Sequence, residues 1–229
     1  MNILAFDTST AACSVALSYD DLIINEHIIQ PRGHANLILS MIESLLGTAG
    51  ITLSDISIIS FGQGPGSFTG LRIAAGVCQG ISYSQNIPVI ALSSLRILAQ
   101  GAYRETQQKN IAILQDARMS EIYWGCYSLI NNSDSNHIMQ LIGVENVSKP
   151  EMIQLDSTKS WYCIGEALLA YQTKLKLSDN IINKEFNYPN AIDMIALTKF
   201  EFEKNNCIKA KEVNPVYLRN QVASKKIIL

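Results

Sequence analysis

Three short apolar runs separated by turn residues open this chain, and the same opening returns after a polar patch near its middle. Asn2–Thr8 is a compact apolar run, Ala12–Ser18 alternates in part, and Leu22–Ile29 alternates around Asn25 and His27. Such runs read as strands. The breaks at Ser9–Ala11 and Asp20-Asp21 are short and carry turn residues, so adjacent antiparallel strands are expected. After Glu105-Thr106-Gln107-Gln108-Lys109-Asn110 the pattern restarts with strands Ile111–Gln115, Ile122–Leu129 and His137–Val144 and a polar hairpin at Asn131–Asn136. The chain is thereby constrained to an α/β fold of two halves with related topology. No residue-level repeat accompanies the duplication.

Helices and further strands follow each opening. A helix is expected from His34 to Leu46, stopping near Gly47 and Gly50, then a buried strand at Ile56–Phe61. Gly62-Gln63-Gly64-Pro65-Gly66 reads as a loop, with Ser67 or Thr69 capping a helix to Tyr83. Pro88–Leu92 reads as a strand, Ser93–Tyr103 as a helix, and Ala191–Lys204 as another. These elements predict two domains, 1–106 and 107–229, with the tail returning to the first.

Composition narrows the function classes. The 229 residues are 48% hydrophobic and 17% charged, with a net charge of −2. An average soluble chain carries about 25% charged residues. Disorder is excluded, and so is a basic nucleic-acid module, because 18 Lys+Arg face 20 Asp+Glu. The N-terminus lacks a signal-peptide pattern. The charge-free stretch Ile73–Leu95 contains Gln79, Ser82, Ser84, Gln85, Asn86 and Pro88, which argues against a membrane helix. Five dispersed cysteines without a C-x-x-C pair suggest neither a disulfide framework nor structural zinc. The expectation is a soluble cytoplasmic protein with reduced thiols.

Charge is also unevenly placed. Residues 1–106 hold four basic and seven acidic residues, too few to cover a surface of that size in the usual way. In the helix at 34–46, Leu37, Met41, Leu45, Ile38, Ile42, Leu46 and Leu39 span roughly 200°, against the ~100° stripe that one sheet requires. The helix at 69–83 carries Ala74, Ala75, Gly76, Cys78 and Gly80 and no charge after Arg72. Small residues permit close helix approach. A subunit interface through Leu37, Met41, Leu45, Ile73, Gly76, Val77 and Gly80 is expected; the other reading makes both helices central in their own domain.

Three segments bear on chemistry, each with two readings. Asp7-Thr8-Ser9-Thr10 ends the first strand, where an Asp and hydroxyls hold a metal–phosphate group or form an Asx turn. Gly62 to Gly70 is a strand–loop–helix junction resembling a phosphate cradle. It lacks the Walker lysine and misses the dinucleotide spacing by one residue, so its glycines equally serve a tight turn and close packing. Asp116-Ala117-Arg118, followed by Glu121 and Tyr123, is a turn or a substrate clamp. His27, His34 and His137 are too dispersed for a helical metal pair. Cys78 and Cys163, in apolar stretches, read as buried inert thiols. No catalytic, cofactor or metal residue is assigned in this chain.

Taken together, Phe6-Asp7-Thr8-Ser9, Gly64-Pro65-Gly66-Ser67-Phe68-Thr69-Gly70-Leu71-Arg72, Asp116-Ala117-Arg118 with Glu121-Ile122-Tyr123, and Pro215-Val216-Tyr217-Leu218-Arg219 resemble the TsaB family of bacterial tRNA threonylcarbamoyladenosine biosynthesis proteins. The likeness runs from the first strand to the tail in one order. Asp7, Gly64, Pro65, Gly66, Asp116 and Arg118 are its family positions. One departure is Ser40, where relatives often have proline.

The resemblance implies two actin-like domains of the sugar-kinase and heat-shock ATPase type, and a non-catalytic role. TsaD-type enzymes place two metal-binding histidines four residues apart after a strand like Pro88–Leu92; here Leu92–Ala99 contains none. The implied work is to bind and order a TsaD-type catalytic subunit through helices of the first domain. A TsaE-type ATPase joins the complex, tRNA is held mainly by the partner, and a homodimer forms when the chain is alone. The metal belongs to the TsaD-type partner, and ATP or ADP acts at the level of the complex. An Arg or Glu at Met41 is expected to abolish pairing and leave the monomer folded. Lys209, Lys211, Arg219, Lys225 and Lys226 read as a solvated face. The competing reading is an actin-like ATPase or small-molecule kinase acting alone.

Overall fold

The computed structural model describes residues 1–20, 22–131, 137–177, 182–183 and 188–219. Strands β1 (Ile3–Asp7), β2 (Ala12–Tyr19) and β3 (Leu22–Ile29) form an antiparallel meander, followed by helix α1 (His34–Ala49). Strand β4 (Ile58–Gly64), helix α2 (Phe68–Gln85), strand β5 (Val89–Ser93) and helix α3 (Ser94–Thr106) complete the first half. The second half contains β6 (Asn110–Asp116), β7 (Ile122–Asn131), β8 (His137–Ser148), β9 (Tyr162–Ile164), the short helix α4 (Ala167–Ala170), β10 (Ile182–Asn183) and helix α5 (Ala191–Glu203). The expected hairpin at Asn131–Asn136 lies almost wholly outside the described residues, as do Lys225 and Lys226.

The two sheets have one topology. The first is ordered β3-β2-β1-β4-β5 and the second β10-β9-β6-β7-β8. In each, three antiparallel strands lead, and two parallel strands are added on the far side of the leading strand. The duplication expected from the chain pattern is therefore present in strand order. These two mixed sheets with flanking helices are the α/β, actin-like arrangement.

Period-two patterning explains why β1 is buried along its whole length: its two faces meet different layers. Leu4 and Phe6 join Ile59 and Phe61 under α1 and α2. Ile3 and Ala5 join Ile58 on the opposite face, against Met194, Leu197 and Phe200 of α5. Helix α3 lies between the sheets. Its Ile97 joins the α5 cluster, and Leu95, Leu98 and Ala102 pack on Ile111, Ile113 and Tyr127 of the second sheet.

Residues from beyond position 107 thus complete the first half. Helix α5 is fastened to the first sheet by hydroxyls: Ala191 N donates to Ser14 Oγ at 2.8 Å, and Thr198 Oγ1 donates to Ser60 Oγ at 2.7 Å. A sheet buried on both faces needs a second helical layer, and α5 supplies it. The tail returns too. Gln79 donates to Val213 O, Val216 N to Gln63 O, and Arg72 Nε to the Tyr217 hydroxyl.

Local chemistry adjusted several boundaries. α1 passes through Gly47 and stops at Gly50, whose φ of 68° is the left-handed helix-ending conformation. Ser67 caps α2 and Ser93 caps α3. The expected loop at 62–66 is corrected. Gly62, Gln63 and Gly64 continue β4, which stays paired with β5 through an irregular register. Among the described residues, no helix is long and apolar enough to cross a membrane.

Candidate functional site

The three chemical segments meet at one cleft of about 360 Å³ between the sheets. Ser9 and Thr10 come from the β1–β2 turn, Pro65 to Phe68 from the β4–α2 junction, and Gln115 to Arg118 from the end of β6. Strand ends bring them together: β1, β4 and β6 all terminate at this opening.

Asp7, at the end of β1 beside this opening, does not line the cleft and is committed to the fold. It is 1% exposed. Its Oδ1 accepts from Ser9 N at 2.8 Å and Ser9 Oγ at 2.7 Å, and its Oδ2 accepts from Ser94 Oγ at 2.9 Å. Burial raises its pKa, opposed by the Ser9 and Ser94 hydrogen bonds and by His34. This is the Asx-turn reading. The glycine junction is filled in the same way. A Cβ on Gly62 would lie 1.8 Å from Asp7 Oδ2, one on Gly66 2.4 Å from Ser9 O, and one on Gly70 1.9 Å from Thr8 O. Ser67 N donates to Ser9 O at 2.7 Å. These residues pack on the first turn where a phosphate cradle would leave its N–H groups pointing outward. The actin-like fold implies a nucleotide and metal at this place, and Asp7 with the filled junction does not fit that group.

The facing wall is different. Asp116 Oδ1 accepts from Arg118 N at 2.8 Å and from the Tyr171 hydroxyl at 2.8 Å, and Arg118 Nη1 reaches Asp116 Oδ2 at 3.1 Å. Arg118, Met119 and Ser120 have φ values of 61°, 54° and 60°, a left-handed run that non-glycine residues rarely adopt. Tail residue Arg219 holds this turn from outside, donating to Arg118 O and Met119 Sδ and pairing with Glu121. Glu166 joins the wall; burial raises its pKa, Arg118 opposes that rise, and Asp116 adds to it.

Sequence reasoning missed Gln115, Ser94 and Glu166. Gln115 carried a readable signal, since Ile111, Ile113 and Gln115 share one strand face and only the last is polar.

The helix surface is the second candidate. Met41 and Leu45 are 2% and 4% exposed and belong to the core under α1. The expectation that a charge at Met41 leaves the monomer folded is therefore corrected. Most of the wide apolar arc of α1 is covered by α2, by Ile24 and Ile28 of β3 and by the central strands, while Leu39 is 56% exposed. Leu37, Ile73 and Val77 remain half-buried, and Gly76 and Gly80 are exposed. Among the described residues, nothing lies within 4 Å of a Cβ built on Gly76, Gly80 or Gly47, so none is required by packing among them.

The histidines do not converge. His27 is on β3, His34 Nε2 bonds Ala12 O at 3.2 Å, and His137 stacks on Tyr103. Among the described residues, no three His, Cys, Asp or Glu side chains cluster as a metal site. Cys78 and Cys163 are buried, and burial pushes the Cys163 thiol up to about 12.

Comparison with known proteins agrees with this architecture. Residues 26–178 match the family model described as TsaD, tRNA N6-adenosine threonylcarbamoyltransferase. The tRNA threonylcarbamoyladenosine biosynthesis protein TsaB of Escherichia coli is 38% identical, covering 99% of this chain and 98% of its own. Its namesake from Haemophilus influenzae is 36% identical over 99% and 97%. The solved structure of YeaZ from Pseudomonas aeruginosa superposes with a TM-score of 0.87 at 38% identity, over 95% of this chain and 99% of that one. With 36–38% identity and near-complete coverage in both directions, the chain belongs to the TsaB family.

Proposed function

We propose that this chain is a non-catalytic subunit of the assembly that transfers a threonylcarbamoyl group to N6 of the adenosine next to the anticodon, in tRNAs reading codons beginning with A. Its work is to bind and order a TsaD-type catalytic subunit. The observation that carries this is the α1–α2 surface. Gly76 and Gly80 face open space on an exposed helix face bordered by half-buried Leu37, Ile73 and Val77. Exposed glycines weaken a helix by roughly 0.5–1 kcal/mol each relative to alanine. Their use is close approach by another helix, and the partner's helices fit that surface.

The commitment of Asp7 to Ser9 and Ser94 supports a role without phosphoryl chemistry in this chain. In this reading the metal resides on the TsaD-type partner, nucleotide acts at the level of the complex with a TsaE-type ATPase, and tRNA is held mainly by the partner. A net charge of −2 accords with the last point. The same helix surface pairs two copies when the partner is absent. The chain works in the cytoplasm.

The test is sedimentation of this chain alone and mixed with the TsaD-type subunit of the same cell, with threonylcarbamoyl transfer assayed in both. A mixed complex is expected, with transfer only when the TsaE-type protein is also present. Gly80→Arg should remove the complex and leave the monomer folded. Failure to form a mixed species, together with ATP turnover by the chain alone, would establish the ATPase or kinase reading instead.

A further inference from the structure

We propose that the cleft between the two sheets binds a small carboxylate-bearing molecule of amino-acid size, through the side-chain amide of Gln115 and the guanidinium of Arg118. This site is separate from the α1–α2 surface and does not depend on the partner-binding role.

Gln115 carries the inference. It is 7% exposed, it lines the cleft, and its Nε2 has no hydrogen-bond partner among the described residues. The large majority of buried side-chain polar atoms are paired, and an orphaned one is expensive. Ile111 and Ile113 precede it on the same strand face and are core residues. An apolar side chain at 115 would continue that face without an orphan, so the amide marks a place where an acceptor arrives from the cleft.

The surroundings say what kind of acceptor. Arg118 places its guanidinium at the rim with an 82% exposed side chain, and Asp116 takes its Nη1. Helices α2 and α3 both begin at this cleft, at Ser67 and Ser94, and neither has an acidic residue in its first turn. Helix N-termini favour negative charge. A planar amide and a planar guanidinium match a carboxylate.

Phosphate is the poorer fit. Ser67 N is spent on Ser9 O, the spaces beside Gly66 and Gly70 are filled, and among the described residues no lysine lines the cleft. Glu166 on the same wall supplies an acceptor for an ammonium or N–H on the ligand. A volume of about 360 Å³ lies at the small end of ligand pockets, which run from ~300 to ~1,000 Å³.

The experiment is calorimetric titration of the full chain, without partner, using acetate, L-alanine, succinate and inorganic phosphate as probes. In parallel, the Gln115 side-chain amide is followed by nitrogen-15 NMR, its signal assigned by its loss in Gln115→Met. At least one carboxylate should saturate in the millimolar range or tighter and shift that amide signal. Gln115→Met and Arg118→Gln should each weaken binding tenfold or more; Arg118 is exposed, so a folding defect cannot account for its effect. Binding of phosphate alone overturns the carboxylate assignment. No saturable binding by any probe, or binding unchanged in both variants, overturns the site.

Discussion

Arg104 of α3 and Asp193 of α5 form a two-pronged ion pair, Nε to Oδ1 at 2.7 Å and Nη2 to Oδ2 at 3.3 Å. The partners are unequal: the Asp193 side chain is 3% exposed and that of Arg104 48%. Gly101 allows the approach, since a Cβ there would lie 2.8 Å from Asp193 Oδ2. The pair joins the helix between the sheets to the helix that completes the first sheet.

That inequality predicts an asymmetric mutational response. Arg104→Ala strands a buried carboxylate and should destabilise by about 3 kcal/mol. Asp193→Ala leaves an arginine that turns to water, and should lose about 1–2 kcal/mol. Urea unfolding of both variants checks the order; equal losses would mean that burial of Asp193 is not what matters.

Glycines on the two sides of α2 should respond oppositely. Gly80→Ala meets open space and should stabilise the isolated chain by about 0.5–1 kcal/mol, while weakening partner binding in sedimentation. Gly70→Ala would place its methyl 1.9 Å from Thr8 O, and should destabilise by about 3 kcal/mol or more.

Met41→Arg should fail at folding before it reaches any partner. Met41 lies on the buried face of α1, and an unpaired charge there costs several kcal/mol. Loss of the cooperative thermal transition is the expected result. A folded monomer that no longer pairs would place Met41 on the interface after all.

Asp7→Asn separates structural from catalytic use of that residue. Asparagine keeps an acceptor for Ser9 and supplies a donor to the Ser94 hydroxyl. Transfer by the complex should be unchanged within about threefold, whereas loss of a reacting group would cost a hundredfold or more. The pH response has a definite sign. Burial raises the Asp7 pKa above its ordinary 3.8, so between the two values the folded chain holds a proton that the unfolded chain has released. Its contribution is full below the ordinary value and lost as pH rises through the raised one. Wild type should therefore compare best with Asp7→Asn near pH ~4 and lose ground as pH rises, read from thermal midpoints.

Most of the layering was legible locally. Strands β1 to β3 announced themselves through alternation and short polar turns, and Ser67 and Ser93 marked helix starts because a hydroxyl there accepts from the first turn. The junction was half legible. Its glycines signalled close approach, but only the tertiary structure showed Asp7, Ser9 and Thr8 as the groups they approach. The apolar arc of α1 is divided: Ile38, Met41, Ile42, Leu45 and Leu46 are core, with Ile24 and Ile28 of β3 packed against the same cluster, while Leu39 is exposed, a division that a helical wheel cannot represent.

By itself the sequence determined the order of elements, the duplication, the positions of caps and turns, and the family, since these depend on residues near one another along the chain. Tertiary structure alone decided that α5 completes the first half and where the tail docks on it, that Met41 and Leu45 are core while Gly76 and Gly80 are surface, and that Gln115, Arg118 and Glu166 line one cleft. Those outcomes depend on which faces meet across separations of dozens of residues. Burial and hydrogen-bond partnership are properties of that meeting, and no local pattern contains them.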